Sequence, residues 1–326
     1  MTASLLTRMI HTRGFGLAVS LLALIGAGAF FMWGSGVIIP GDKGTVFPSA
    51  NEWYSSSWVN FGSAIGWTCL TVVMMLLINK VYNILRSSTT LNMALFMAMM
   101  LATPDLMTHF YTGTVLALVV PLCQYYLFSC FRNPGATRHV FIIFLLLSFC
   151  AAFQYCFVFY IPVFLIGLGQ MQIFNWRSFL AAILGVITPW WMIFGFGIAA
   201  PSDVTLPVFE SIFSVFPTDD TLLLLVTIGF TVFVAVLTFV LNILKTIAYN
   251  ARARAMNGSY TVLLFFTIAA ACVDYRDIIS YVPLLNYCAA IETTHYFSTH
   301  RGEKSFIPVL IIFAVYAAIF ACQTVI

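Results

Sequence analysis

The chain has 326 residues, of which 62% are hydrophobic and 8% are charged, with a mean hydropathy of +1.00 and a formal net charge of +3. This composition excludes a water-soluble domain, because so few charged residues cannot cover a soluble surface. The long continuous apolar runs also exclude a transmembrane β-barrel, whose strands alternate over about ten residues. We predict an all-α, polytopic bundle of transmembrane helices that forms a single membrane domain over residues 1–326.

The apolar runs predict about eleven spans, within a range of ten to twelve, several of them short or broken. The first run follows Arg8 and Arg13, as a signal sequence would, but it extends from Phe15 to Trp33 without a small-residue cleavage site before a soluble domain. We therefore interpret it as a retained span. The predicted spans are 15–38, 58–79, 91–104, 109–131, 140–153, 156–173, 178–199, 220–244, 259–273, 278–297 and 305–325.

A corner after the third span places a carboxylate at the predicted membrane boundary. The run from Leu91 to Thr103 is shorter than the ~20 residues that cross a bilayer as a helix, and Pro104 turns the chain just before Asp105. His109 follows four residues later, within reach of Asp105 across one helical turn. This corner suggests a recess with Asp105 at its edge. Ordinary turn chemistry explains a Pro-Asp pair equally well.

The uncharged run from Phe141 to Met171 decides the topology. Its length of about thirty residues is too long for one span and short for two. Gln154 and Pro162 mark places where the chain can bend. We predict two shortened helices that meet near Gln154 and form a second recess on the side where Asp105 lies.

The basic residues test this division, because Lys and Arg collect in short cytoplasmic loops. With the amino terminus in the cytoplasm and the carboxyl terminus in the periplasm, only Lys43 and Arg276 fall outside. A single span over 140–173 would invert everything after it. The remaining twelve of the fourteen basic residues lie inside: Arg8, Arg13, Lys80, Arg86, Arg132, Arg138, Arg177, Lys245, Arg252, Arg254, Arg301 and Lys304.

Ionisable and polar side chains within apolar spans are candidate functional groups, because burying them in lipid is costly. Glu292 and His295 lie three residues apart on one helical face, and Gln154 interrupts the long uncharged run. We expect Glu292 to pair with His295 or to reach the inner boundary. A Glu-x-x-His pair also occurs in di-iron sites, but such a site requires a second copy and two further Glu residues. We therefore predict no metal site.

Arg252 and Arg254 lie in an amphipathic segment on the predicted inner face, from Lys245 to Asn257. They suit the phosphate of an anionic lipid head group or a pyrophosphate, and they suit ordinary topological anchoring as well. The eight Cys residues show no Cys-x-x-Cys pair, which argues against a zinc site. The chain contains no nucleotide-binding or hydrolase motif and no internal repeat, and nothing indicates nucleic-acid binding.

Three segments carry a resemblance to a known family. They contain TPDLMTHFYTGTVLALVVPL from residue 103, FQYCFVFYIPVFLIGLGQ from residue 153, and YVPLLNYCAAIETTHYF from residue 281. These segments resemble an uncharacterised family of multi-spanning inner-membrane proteins of Bacteroidota-type bacteria, over nearly the whole chain. The resemblance implies a multi-pass protein of the bacterial inner membrane and carries no activity with it.

The order of elements supports a second, architectural resemblance. A short span, the Pro-Asp corner, a long span ending in Arg132 and paired short spans are similar to C-type glycosyltransferases and EpsG-like polysaccharide polymerases. Those enzymes transfer sugars from polyprenyl-phosphate donors and use an acidic residue of the first outer loop as a base or metal ligand. Asp42 occupies that place. The first outer loop here is only about 20 residues long and lacks the paired acids of that family.

Two hypotheses follow. The first is a non-catalytic subunit of a membrane complex or a carrier of lipids or solutes, with the lipid bilayer and other envelope proteins as partners and no cofactor. The alternative is an enzyme that acts on polyprenyl-linked glycans at the outer leaflet, with a divalent cation as its cofactor. In that alternative Asp42 and Asp105 are catalytic. The groups that bind substrate or lipid phosphate would be Arg276, Lys43, His109, Arg252 and Arg254.

Overall fold

A computed structural model describes residues 12–34, 44–85, 90–205, 207, 219–247, 249–299 and 306–325. Across these residues the secondary structure is helical, with 3₁₀ turns such as Tyr155–Phe159 and Tyr275–Asp277, and contains no strand. The prediction of an all-α bundle is confirmed there. The α-helices are α1 (Arg13–Trp33), α2 (Ser57–Tyr82), α3 (Leu91–Leu101), α4 (Pro104–Thr108), α5 (Thr112–Ser129), α6 (Thr137–Ala151), α7 (Tyr160–Gln170), α8 (Trp176–Gly195), α9 (Asp219–Ile247), α10 (Ala251–Val273), α11 (Ile278–Thr299) and α12 (Phe306–Val325).

Seven helices in the described residues are long and apolar enough to cross a membrane: α1, α2, α5, α8, α9, α10 and α12. Helices α3 and α6 and the segment Tyr155–Gln170 are also apolar but shorter. Large apolar side chains such as Leu22 and Leu184 are exposed on the outside of the bundle, and so are Trp33, Trp58 and Trp176 at helix ends. Exposed apolar helix faces with tryptophans at their ends are typical of a multi-pass membrane protein.

Helix α11 lies at the centre of the bundle. It packs against α3, α5, α9 and α10, and every residue from Ile278 to His295 is buried. Helix α3 is buried from Leu91 to Met100. These two deeply buried helices, α3 and α11, are therefore not among the seven that are long and apolar enough to cross a membrane.

The segment between Phe141 and Met171 folds back on itself, as predicted. Helix α6 ends at Ala151, Gln154 has an extended backbone, and α7 begins at Tyr160. The backbone N–H of Arg132 donates to the carbonyl of Met171 at 3.1 Å, so the end of the segment lies beside the chain that precedes α6. One continuous helix over residues 141–171 would instead have placed Met171 about 45 Å from Phe141.

The connections between helices gather at the two ends of the bundle. At one end, the backbone N–H groups of Thr45 and Val46 donate to the carbonyls of Phe153 and Ala152, and the Asn60 side chain accepts from the N–H of Phe110. At the other end, the Tyr82 hydroxyl donates to the Tyr125 carbonyl. Because α2 runs from the first set to the second, the sets lie at opposite ends. We name them the predicted outer end and the predicted inner end.

Candidate functional site

Polar side chains follow one face of α11 through the centre of the bundle. Tyr281, Glu292, His295 and Thr299 lie within an arc of about 60° when each residue turns the helix by about 100°. Hydrogen bonds connect them to residues of α9 and α10 and to Asp274 just beyond the end of α10, so this face is turned toward those helices. The carboxylates near its two ends, Asp277 and Glu292, are separated along the axis by about 22 Å.

Two buried carboxylates lie beside the amino-terminal end of α11. Asp274 is 0% exposed, and its Oδ2 accepts from the hydroxyls of Tyr155 at 2.7 Å and Tyr281 at 2.8 Å. Asp277 is 1% exposed. Its Oδ2 accepts from Gln154 Nε2 at 3.1 Å, and its Oδ1 accepts from the Ser280 hydroxyl at 2.8 Å. We call these residues the outer acidic cluster: Gln154, Tyr155, Asp274, Asp277, Ser280 and Tyr281.

The local sequence explains how this cluster forms. Helix α10 ends at Val273, and the 3₁₀ turn Tyr275–Asp277 connects it to α11, which begins one residue later. Helix α6 ends at Ala151, and the extended backbone of Gln154 carries its side chain toward the same turn. The carboxyl-terminal ends of two helices therefore lie near the cluster, and such ends carry partial negative charge.

Buried polar atoms of Gln154 and Tyr111, in and beside the cluster, have no hydrogen-bond partner. Gln154 is 1% exposed, and its Oε1 is unpaired although its Nε2 contacts Asp277. Tyr111 is 7% exposed, and its hydroxyl is unpaired close enough to Asp277 to interact with that carboxylate electrostatically. A buried polar atom left without a partner carries a desolvation penalty of about 1–3 kcal/mol. Both atoms are therefore available to contact a water molecule or an ion.

Glycine at position 113 brings α5 close to this cluster. A Cβ atom at Gly113 would lie 2.5 Å from the Tyr111 ring and 2.9 Å from the carbonyl oxygen of Ser280. Any larger residue would push apart α5 and the first turn of α11. The approach places the Tyr111 ring and Ser280 side by side.

Farther along α11, a second set of polar groups forms the inner polar cluster. Glu292 is buried, and its Oε1 accepts from the Thr261 hydroxyl of α10 at 3.3 Å. The Nδ1 of His295 contacts the Asn242 amide of α9, and its Nε2 contacts the Asn257 amide of α10 at 3.2 Å. These bonds connect α11 to both neighbouring helices. Glu292 and His295 thus lie on the shared face that the sequence predicted.

Tyr287 lies between the two clusters. Its hydroxyl donates to Gln124 Oε1 of α5 at 2.7 Å and contacts the Tyr260 hydroxyl of α10 at 3.3 Å. Along the axis it is about 9 Å from Tyr281 and about 8 Å from Glu292. Buried polar groups thus recur along the length of the helix, with Tyr287 about 120° around the axis from Tyr281.

Asp105 lies elsewhere at the predicted outer end. It is part of α4, which packs against α1 and α2, and its Oδ1 is buried without a hydrogen-bond partner. Burial raises the pKa of this carboxyl, and the nearby His109 partly offsets that effect. The Nδ1 of His109 contacts the backbone carbonyl of Asp105 at 3.1 Å. The predicted proximity of Asp105 and His109 is therefore observed.

The predicted phosphate-binding residues are spread over both ends. Arg276 is exposed on the 3₁₀ turn beside the outer acidic cluster. Arg252 lines a cavity of about 220 Å³ with Tyr82 and Asn250, while Arg254 lines one of about 210 Å³ with Gln170. Both cavities are at the predicted inner end. Asp42 and Lys43 lie outside the residues that the structure describes, so their roles stay predictions.

The sequence did not single out the outer acidic cluster as a unit. The sequence does contain two features of this cluster. Asp274 and Asp277 lie three residues apart before an apolar run, and Gln154 lies within a long uncharged segment. Their meeting depends on the fold-back of residues 141–171. Among the residues that the structure describes, no group of three or more His, Cys, Asp and Glu side chains is arranged to hold a metal ion.

Comparisons with protein-family models, with curated proteins and with solved structures find no match to this chain. The two resemblances given by the sequence therefore stay predictions. The function has to be argued from the polar groups on α11 and their surroundings.

Proposed function

We propose that this protein is a multi-pass membrane carrier that moves a small cation along the polar face of α11. Of the two non-catalytic roles predicted from the sequence, a complex subunit and a carrier, the buried carboxylate of Glu292 favours the carrier. Keeping an ionisable group within an apolar bundle costs several kcal/mol, so such groups typically mark ion or proton pathways. This single observation carries the proposal.

The arrangement around Glu292 suits a pathway. The outer acidic cluster would receive the cation, Tyr287 with its partners would provide polar contacts midway, and the inner polar cluster would pass the cation on. Carboxylate, phenol and amide oxygens attract cations and replace part of their hydration. The face between α10 and α11 is therefore the proposed route.

The eleven-span topology belongs to the same proposal. With the amino terminus in the cytoplasm of a bacterial inner membrane, the outer acidic cluster faces the periplasm and the inner polar cluster faces the cytoplasm. The exposed basic residues Arg132, Arg138 and Arg177 are at the predicted inner end, where short cytoplasmic loops collect positive charge. A cation entering from outside would meet acids first.

A flux assay tests this function. Purified protein is reconstituted into liposomes that contain dyes sensitive to Na⁺, K⁺ or H⁺, and a membrane potential is imposed. We expect cation entry above that of empty liposomes, reduced at least tenfold by Glu292→Gln. The matched control is Glu52→Gln, because Glu52 is an exposed carboxylate of the 3₁₀ turn Ala50–Glu52. Wild-type flux equal to that of empty liposomes, or full flux in Glu292→Gln, overturns the proposal.

Sugar transfer from a polyprenyl-linked donor is the second candidate, and Asp105 favours it. Its buried Oδ1 has no partner, and a carboxyl with a raised pKa beside His109 suits a general base. In this case Asp105→Asn would reduce glycan transfer at least tenfold and leave the cation flux unchanged. Transfer that is unaffected by Asp105→Asn removes this candidate.

A further inference from the structure

We propose that the outer acidic cluster, together with Tyr111, is a binding site for Na⁺. The inference rests on the proposed function, because it identifies the cation that enters the carrier. It also concerns an equilibrium property of the folded protein, which is measured without transport.

The oxygen atoms of the site come from three parts of the chain. Asp274 and Asp277 provide carboxylates, Gln154 provides an amide oxygen, and Tyr111 provides a hydroxyl. The amide of Gln154 is oriented by its bond to Asp277, which leaves its Oε1 buried beside the cluster without a donor. Because a cation needs oxygen ligands and brings no proton, it satisfies this acceptor directly.

The electrostatic surroundings also suit a cation. The carboxyl-terminal ends of α6 at Ala151 and α10 at Val273 lie near the cluster, and each adds partial negative charge to that of the two carboxylates. Helix ends and unwound backbone at such breaks are the elements that hold Na⁺ in membrane carriers. The positive end of α11 and the exposed guanidinium group of Arg276, on the same turn, offset part of this charge.

The ligand set favours Na⁺ over a divalent ion. The two carboxylates already accept four hydrogen bonds, from Tyr155, Tyr281, Gln154 and Ser280. Gln154 Oε1 and the Tyr111 hydroxyl, which make no hydrogen bond, add two neutral oxygen ligands to these carboxylates. Ca²⁺ takes roughly six to eight oxygen ligands, more than these four side chains provide, and Mg²⁺ usually keeps several waters. Transition metals prefer the His and Cys ligands that this site lacks.

The experiment measures thermal unfolding of the purified protein in detergent, in NaCl, KCl, choline chloride and MgCl₂ at equal ionic strength. We expect Na⁺ alone to raise the unfolding temperature, by about 3 °C or more, because a ligand that binds only the folded state stabilises it. Uptake of radioactive sodium at equilibrium gives the stoichiometry, and we expect one ion per chain.

Three variants locate the site. Tyr111→Phe removes a hydroxyl that makes no hydrogen bond, so it leaves the fold intact and should weaken Na⁺ binding at least fivefold. Asp277→Asn keeps the shape and should abolish binding. The matched control Asp203→Asn alters an exposed acid at the same end of the bundle and should bind Na⁺ as the wild type does.

Several results overturn the inference. They are equal stabilisation by Na⁺, K⁺ and choline, stabilisation by Mg²⁺ alone, no stabilisation at all, and unchanged Na⁺ binding in Tyr111→Phe. No stabilisation at all would mean that water or packing satisfies the cluster, and unchanged binding in Tyr111→Phe would mean that Na⁺ binds elsewhere. Na⁺ binding without flux in liposomes would remove the carrier function and keep the site. Flux of H⁺ or K⁺ without Na⁺ binding would keep the carrier and remove the site.

Discussion

Helices α8 and α11 are similar in length but differ in what they bury. Helix α8 exposes Leu184, Ile187 and Trp191 on its outer face and carries no ionisable residue beyond Arg177 at its first turn. Helix α11 buries every residue from Ile278 to His295, including Glu292. In an apolar solvent the polar helix belongs inside and the apolar helix outside, because lipid solvates leucine well and carboxylates poorly. A water-soluble bundle has the reverse arrangement, with apolar groups inside and polar groups outside.

This comparison requires both helices to cross the same bilayer, which cysteine labelling tests with an all-or-none outcome. In a background with Cys272→Ser and Cys322→Ser, an impermeant maleimide added from outside should modify Ser55→Cys and Ser202→Cys. It should not modify Pro134→Cys until the membrane is opened. All three positions are exposed in the structure. Modification of all three from outside would contradict the predicted topology.

Asp274→Ala should give the largest loss of stability. It removes the acceptor of two buried tyrosine hydroxyls, Tyr155 and Tyr281, and we expect the free energy of unfolding to fall by about 3 kcal/mol. The measurement is denaturant unfolding in detergent. The control Asp203→Ala alters an exposed carboxylate and should lower the free energy by under about 1 kcal/mol. Equal losses in the two variants would mean that the burial of Asp274 has no energetic consequence.

Gly113→Ala should have the next largest effect. Its Cβ would clash with the Tyr111 ring and with the Ser280 carbonyl, and overpacking of this kind costs about 1–3 kcal/mol. The control is Gly66→Ala on α2, where nothing lies within 4 Å of the new atom. There the higher helix propensity of alanine should increase stability slightly, by up to ~1 kcal/mol. A stable Gly113→Ala protein would show that α5 and α11 are not in close contact.

Arg276→Ala should have the smallest effect. The side chain is exposed on the turn before α11, and exposed ion pairs contribute only about 0–1 kcal/mol. The unfolding curve should therefore shift little compared with that of Asp274→Ala. A loss of stability as large as that of Asp274→Ala would show that the guanidinium group helps to hold the outer acidic cluster.

The division of residues 141–171 into two helices could be predicted from the sequence alone. The basic residues on either side required two helices, and the contact between Arg132 and Met171 confirms the fold-back. The seven long apolar helices were equally visible in the sequence. The count of eleven spans stays a prediction, because short helices such as α3 and α6 are set by their neighbours as much as by their own length.

The contacts within the candidate site were harder to predict from the sequence than the helices were. Asp105 and His109 are close in sequence, so a helical turn predicts their proximity. Gln154 and Asp277 are 123 residues apart, and no local pattern relates them. Glu292 was recognised as an intramembrane acid, but its hydrogen-bond donor Thr261 is on another helix.

Hydrophobic run length, proline and charge act locally, so the sequence predicted helices suited to an apolar solvent and the approximate ends of most of them. The start of α10 at Ala251 lies eight residues before the predicted start at 259. Only the tertiary structure decided that α11 is the central helix and that Gln154, Asp274 and Asp277 meet. A helix in lipid satisfies its backbone hydrogen bonds internally, so its own sequence does not specify which helices pack against it. The partners of a buried polar group therefore depend on how the helices pack. The packing of α5, α6 and α10 against α11 fixed that choice here.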